Sequence, residues 1–356
     1  MITIKLLDRY IGRNVFFSTL LVLFLLFMLL SFTVFVDGMS DLGHGRYGIM
    51  DLLRYTMLSQ PKGIYQLFPT AALLGTTMGL SYLATNSELI AFRAAGISLW
   101  RIAWAVIKTG AIFVIAGSII GEYVAPVAEE QAQRGRAEAL GIGFRNQSTG
   151  LWLRSDLEYI NVIEVLPDTS LRNINISRFD DNRNLQQLIY AKRGSYINGQ
   201  WQLRKVKQTT FTESGIKITN LKTWDWSSGI TPEEMAVFMV KPEALSFMRL
   251  YYYLEHLRAN GQQTDRYELV FWRKLLSPFT IVVMLLLAIP FAFGQNRTGS
   301  LGKQMFMGLM LALAFNMADY GLGHSATLFG FSPLLGAALP LVLFSVLAAF
   351  LIRRAS

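Results

Sequence analysis

Residues 14–36 read NVFFSTLLVLFLLFMLLSFTVFV, 23 positions without a single Asp, Glu, Lys or Arg. At 1.5 Å per residue a helix of that length rises about 35 Å, enough to cross a hydrocarbon core of about 30 Å. Residues 63–87, 275–296 and 320–352 are further charge-free runs, of 25, 22 and 33 residues. Six membrane spans are expected in all, at about 15–36, 64–84, 102–124, 275–294, 304–322 and 333–352. The third carries Arg101 and Lys108 at its start, where long basic side chains can reach back toward headgroups. The first run far exceeds the roughly 7–15 apolar residues of a signal peptide, and no small-x-small site follows it, so it reads as a retained anchor.

The rest of the composition narrows the function. Apolar residues make up 52% of the 356 and charged residues 16%, which excludes an ordinary pair of soluble domains. With no Cys, disulfides, thiolate metal sites and cysteine nucleophiles are excluded. The three His are scattered and no HExxH occurs, which argues against a zinc hydrolase. The net charge of +9 sits mostly on one side of the expected membrane. Lys5, Arg9, Arg13, Arg93, Arg101, Lys108, Arg297, Lys303, Arg353 and Arg354 face only Asp8 and Glu88 there, so the charge is a topology signal placing both termini in the cytoplasm. A nucleic-acid partner is rejected on that ground.

Between the third and fourth spans the character changes. Residues 122–140 stay helical but polar, as though the third span projects from the membrane, with Pro126 a kink. From about 148 to 240 short strands alternate with turn signals, at 151–154, 157–164, 171–179, 185–192, 195–197, 201–211 and 216–226. Asn198-Gly199 is a hairpin signal, Pro167-Asp168 and Asp180-Asp181-Asn182 mark turns, and the strand at 157–164 reads as buried on both faces. An all-β sandwich or jelly roll is expected, followed by a helical return over 247–272. The fold class is thus a six-span α-helical membrane protein with an inserted, jelly-roll-like all-β domain outside the membrane. Its parts are residues 1–125, 126–265 and 266–356.

Few residues carry chemistry. Gly299-Ser300-Leu301-Gly302-Lys303 lacks the first Gly and the final Ser or Thr of a phosphate loop and reads as a turn, so ATP-driven work would need a separate subunit. Thr85-Asn86-Ser87-Glu88 fits a T-x-x-E capping box opening a short helix over 86–96, with Gly96 as its stop. That helix either rests on headgroups or couples the spans to a soluble ATPase. Asp319 either pairs with a neighbouring helix or relays protons; with no second intramembrane acid, an aspartyl protease is excluded. Arg134, Arg136 and Arg145, with Lys62 and Arg54, form either a solvated face or a basic collar for lipid phosphate.

Several segments, in order along the chain, resemble the permease subunits of the lipopolysaccharide transport system, the LptF/LptG family. They include Leu7-Asp8-Arg9-Tyr10-Ile11-Gly12-Arg13, Phe35-Val36-Asp37, Phe68-Pro69-Thr70-Ala71-Ala72-Leu73-Leu74-Gly75 and Ser87-Glu88-Leu89. Ala94-Ala95-Gly96, Gly121-Glu122-Tyr123-Val124-Ala125-Pro126, Gly150-Leu151-Trp152 and the Asp319 region extend the resemblance over the whole length. The first two motifs favour the family's G branch over its F branch.

The resemblance implies a type VI ABC exporter in the Gram-negative inner membrane, with the β domain in the periplasm. One such chain pairs with an F-type paralogue and two copies of the cytoplasmic ATPase LptB, which holds the ATP and Mg; no cofactor is expected in this chain. The substrate is lipopolysaccharide, passed through a β jelly roll to LptC, whose helix inserts beside span one, and to the LptA bridge. Carried over by position, Ser87, Glu88, Leu89, Phe92, Arg93 and Gly96 would meet the ATPase. Asp37, Lys62, Leu67, Phe68, Arg134, Arg136 and Asp319 would serve the substrate. Val34 stands where related chains often carry Lys, so Lys62, Arg134 or the partner would supply the phosphate contact. The alternatives are a membrane scaffold presenting the β domain to envelope partners, and a proton-driven transporter resting on Asp319 alone.

Overall fold

The structure, a computed structural model, describes residues 2–141, 151–155, 157–166, 170–180, 184–197, 199–212, 215–227, 242–259, 263–293 and 301–355. Arg145, Pro167-Asp168, Asp181-Asn182, Asn198 and Gly299-Ser300 lie outside the described residues. Helix α1 runs over Ile2–Met39, α2 over Ile49–Thr85, α3 over Glu88–Ala94 and α4 over Leu99–Ile119. A π-helical turn, Ile120–Val124, then leads directly into α5, Ala125–Leu140. After the strands come α6 (Phe247–Ala259), α7 (Asp265–Phe293), α8 (Leu301–Phe329) and α9 (Pro333–Ala355). Among the described residues, six segments are long and apolar enough to cross a membrane. Most of these helices outrun the expected spans, because a membrane-crossing helix continues into water wherever its backbone hydrogen bonds still pair. At Pro126, which has no N–H to give, the widened π turn just before it is the irregularity found.

The chain divides into two compact units. Residues 1–34, 59–126 and 265–356 make the membrane unit, and residues 35–58 and 127–264 the insert unit. In the membrane unit, α1, α2, α4 and α7 share a core of Ile11, Val15, Phe68, Leu80, Val106 and Leu285. Small residues let these helices approach closely. A Cβ on Gly75 would lie 2.2 Å from the Thr19 Cα, and one on Gly110 would strike Leu285. In lipid, where apolar side chains gain little by leaving their solvent, such close backbone packing is what holds helices together. Spans α1 and α8 are the least covered, with 11% and 17% of their most apolar stretches buried.

Among the described residues of the insert unit, six strands form one antiparallel sheet in sequential order. They are β1 (Leu151–Ser155), β2 (Glu158–Val165), β3 (Leu171–Phe179), β4 (Leu185–Ile197), β5 (Gln200–Thr212) and β6 (Gly215–Trp226). The separate strands expected at 185–192 and 195–197 are one, because Arg193 and Gly194 keep pairing with Arg204 and Leu203. Gly199, at φ +84, closes the hairpin between β4 and β5.

The sheet folds over on itself. Glu158 on β2 lies in the same cross-strand row as Arg178, Gln187, Thr210 and Lys217. In a flat sheet it would stand about 19 Å across and about 30 Å along from Trp226 on β6. Yet the Trp226 indole donates a 3.0 Å hydrogen bond to the Glu158 carboxylate, which also accepts from Arg178 at 2.8 Å. Opposite corners therefore meet, and Ile160, Val162, Ile174, Trp201, Leu203 and Trp226 fill the space enclosed.

The fold-over has a visible cause in a crease across five strands. Along a regular strand, side chains alternate between faces. Here two successive residues face away from the core between inward ones: Ile163 with Glu164, Arg172 with Asn173, Lys192 with Arg193, Arg204 with Lys205, and Lys222 with Thr223. Glu164 pairs with Arg172, Arg172 with Arg193, Arg193 with Arg204, and Arg204 with Thr223, so the slips line up. Asn173 and Lys205 adopt φ of 51° and 54° there, a left-handed backbone that breaks the alternation while the register on both strands stays in step.

Candidate functional site

Three groups of residues bear on function. The first is the short helix α3. It spans seven residues, Glu88–Ala94, about 11 Å long and shorter than the 86–96 expected. The capping box does not form. Thr85 is still the last residue of α2 and donates its hydroxyl to the Ser81 carbonyl at 2.9 Å, while Ser87, at φ 60°, makes no side-chain cap. The C-terminal stop is as expected: Gly96 has φ +80°, its N–H reaches the Arg93 carbonyl and the Ile97 N–H reaches that of Phe92. This double closure is a Schellman motif. Ser98 then caps α4 by accepting from the Arg101 N–H.

Leu89 anchors α3 in the membrane unit's core and Phe92 packs half-buried against it. Ile90, Ala91, Arg93 and Ala94 face outward, with Trp100 exposed just beyond. A rigid knob with an uncovered apolar face is suited to a groove in another protein. Glu88 is half-buried and its carboxylate meets the Tyr10 hydroxyl of α1. Asp8, two residues earlier on α1, receives Lys108 at 2.8 Å and Arg101 at 2.8 Å, so α1 and α4 are tied at the same end. The sequence reading missed this clamp, although the seven-residue spacing of Arg101 and Lys108 puts both on one helix face.

The second group lies in the insert unit. Arg136 donates to Asp41 through Nε at 2.8 Å and through a second nitrogen, and its guanidinium lies 5.0 Å from the centre of the Tyr55 ring. Arg134 pairs with Glu130, which also receives Arg249 at 2.9 Å. Both arginines expected to hold phosphate thus have internal carboxylate partners. Beside them a cavity of about 360 Å³ is lined by Arg46, Arg54, Tyr55, Gly135, Arg136 and Glu138 among others. Arg46 and Arg54 are exposed there. Asp37 is exposed at the end of α1, and the acid that meets Arg136 is Asp41.

The third group is inside the membrane unit. Asp319 on α8 pairs with Arg273 on α7 at 3.2 Å, and Arg273 also donates to the Asp319 main-chain carbonyl. The guanidinium lies 5.4 Å from the Tyr320 ring, in space that Gly323 leaves open: a Cβ there would come 2.4 Å from it. Asp319 therefore takes the helix-pairing role. Its partner escaped the sequence reading because Arg273 stands just before the charge-free run that defined span four. Next to it, the Lys274 ammonium lies 5.5 Å from the ring of Tyr65, which in turn occupies the space beside Gly121 in the π turn. Phe68 is buried against Gly117 and Ile281, turned into the chain's own packing, while Leu67 is half-buried and Lys62 half-buried and engaged.

These features define a six-span membrane protein, interrupted after its third span by a folded-over β domain and bearing an exposed apolar helix between its second and third. The chain belongs to the lipopolysaccharide export system permease LptF/LptG family, whose sequence model matches residues 9–354. It is 34% identical over 355 residues to the lipopolysaccharide export system permease protein LptG of Escherichia coli (strain K12), covering 98% of each chain. It is 35% identical over 354 residues to the protein of the same name from Haemophilus influenzae, covering 99% of each.

Proposed function

We propose that this chain is a transmembrane permease subunit that extracts lipopolysaccharide from the bacterial inner membrane and passes it outward, with its β domain in the periplasm. The full-length family match carries this reading. ATP and Mg are held by two copies of the cytoplasmic ATPase LptB, one of which docks on α3. The F-type paralogue covers the exposed flanks of α1 and α8, the LptC helix inserts beside α1, and the LptA bridge receives the substrate. The physical need is plain: each CH₂ of an acyl chain exposed to water costs about 0.8 kcal/mol, so a multi-chain lipid must stay covered along its route. In the insert unit, Arg46 and Arg54 are better placed for a phosphate than Arg134 and Arg136, whose charges are already met by Glu130 and Asp41.

The test is co-purification. Ile90→Asp and Ala91→Asp place a charge on the outward face of α3 without touching Leu89. Both variants are expected to reach the membrane normally, lose the ATPase and stop delivering lipopolysaccharide. Retained ATPase and transport in both would remove α3 from the coupling role. A complex that carries no lipopolysaccharide when purified from a lipopolysaccharide-producing cell would count against the substrate.

A further inference from the structure

The crease in the β sheet carries an unusual distribution of charge. Arg172, Arg193 and Arg204 are direct cross-strand neighbours on β3, β4 and β5. In the adjoining row stand Lys192, Lys205 and Lys222, one each on β4, β5 and β6. All but the partly covered Arg172 are exposed. Directly opposed side chains in a sheet have Cβ atoms about 4.5–5.5 Å apart, and like charges so placed oppose folding. One carboxylate, Glu164, lies in these two rows, and it pairs with Arg172 at 3.5 Å. The other five cations have no ion pair among the described residues. Packing gives no reason for such a band, because the core lies on the opposite face.

We propose that this basic band binds the phosphorylated oligosaccharide of the exported glycolipid, so that the sheet carries the anionic headgroup on its outer face. The proposal rests on the substrate reading above and adds a site to it. The chemistry favours a sugar phosphate over an acidic protein. The next rows hold Asn175, Lys207 and Asn220 on one side and Gln202 and Asp225 on the other; the exposed rings there are Tyr190 and, at the far β1 end of its row, Trp152. Protein interfaces are centred on apolar and aromatic anchors and are depleted in Lys. This surface is the reverse: wet, rich in Lys, and set with planar guanidinium forks that grip phosphate oxygens in pairs. The two rows span three to four strands, about 10–15 Å at 4.8 Å per strand, the reach of a few linked sugars rather than of one phosphate.

The experiment uses the full-length chain in detergent and deacylated lipopolysaccharide, which is water-soluble and has no acyl chains for the membrane unit to bind. Calorimetric titration is run on the natural chain, on Arg193→Gln/Arg204→Gln/Lys205→Gln, and on Arg193→Lys/Arg204→Lys. The triple variant is expected to bind at least about tenfold more weakly, and the lysine variant to keep most of the affinity. Because the triple substitution relieves like-charge opposition, its thermal midpoint should not fall, so weaker binding cannot be laid to misfolding. Unchanged binding in the triple variant, or equal binding of the same oligosaccharide after phosphatase treatment, would overturn the proposal. Equal affinity for a poly-glutamate peptide would assign the band to acidic proteins instead, and equal affinity for inorganic phosphate would reduce it to a simple anion site. Loss of the oligosaccharide site with undiminished lipopolysaccharide transport would end this proposal alone. A complex that moves no lipopolysaccharide would end the reading beneath it.

Discussion

The Arg273–Asp319 pair should behave as a tie between α7 and α8 whose value lies in being complete. Both side chains are about three-quarters covered, with 24% and 23% of their surface exposed. Removing one partner of a fully buried pair costs about 3–5 kcal/mol, chiefly because the other is left charged and unpaired. Two features lower the figure here: the residual exposure, and the contacts Arg273 keeps with the Asp319 main-chain carbonyl and the Tyr320 ring. Asp319→Leu is therefore expected to destabilise the chain by roughly 2–3 kcal/mol. The double change Arg273→Met/Asp319→Leu, with neither charge left, should return to within about 1 kcal/mol of the natural protein. Reversible unfolding in mixed micelles, titrated with a denaturing detergent and followed by tryptophan fluorescence, measures the two single variants, Asp319→Leu and Arg273→Met, and the double. The same cycle read in a transport assay separates tie from relay, since a relay fails in the double variant even when the fold is restored. A single variant within 0.5 kcal/mol of the natural chain, or a double variant as damaged as the two singles summed, would refute the reasoning.

Other outcomes follow from local geometry. Gly96→Ala puts a Cβ on a left-handed residue and should cost about 1–2 kcal/mol, seen as faster proteolysis next to α3 with the spans unaffected. Trp226→Phe removes a hydrogen bond to a charged carboxylate that joins opposite corners of the sheet, a loss of about 1–2 kcal/mol that a shift in the thermal midpoint of the β domain would register. Gly75→Leu cannot be seated without pushing α1 from α2, since its Cβ already meets the Thr19 backbone; impaired membrane accumulation, beyond that of Gly135→Leu where space is open, is the expected result. Asp8→Asn unties Arg101 and Lys108, and because Lys108 is half exposed the penalty should stay near 1 kcal/mol and shrink further in high salt.

The spans were legible because a bilayer imposes a length and a polarity that a single chain must display, and the charge-free runs display both. Strand positions were legible from turn residues, down to Gly199 between β4 and β5. What escaped were relations between distant residues. Nothing local says that Arg273 reaches Asp319, that Asp8 reaches Lys108, or that Arg136 turns to Asp41. Thr85-x-x-Glu88 had the right spelling for a helix start, but α2 runs on through Thr85 and claims its hydroxyl. The crease had a signal of its own: Lys192-Arg193 and Arg204-Lys205 are doubled charges in mid-strand, where alternation demands that one side chain point inward. Read as an error of pattern, such a doublet marks the fold line.

Because the five slips of alternation sit abreast, the β domain bends as a hinged plate does, along a single line. Lengthening one strand by a residue between its turn and that line would carry its slip out of step with its neighbours. Glu158 and Trp226 would then no longer meet. Insertions should be tolerated in the hairpin tips and refused in the strands, and grafting this domain onto another scaffold will succeed only if the alignment of the fold line is moved intact.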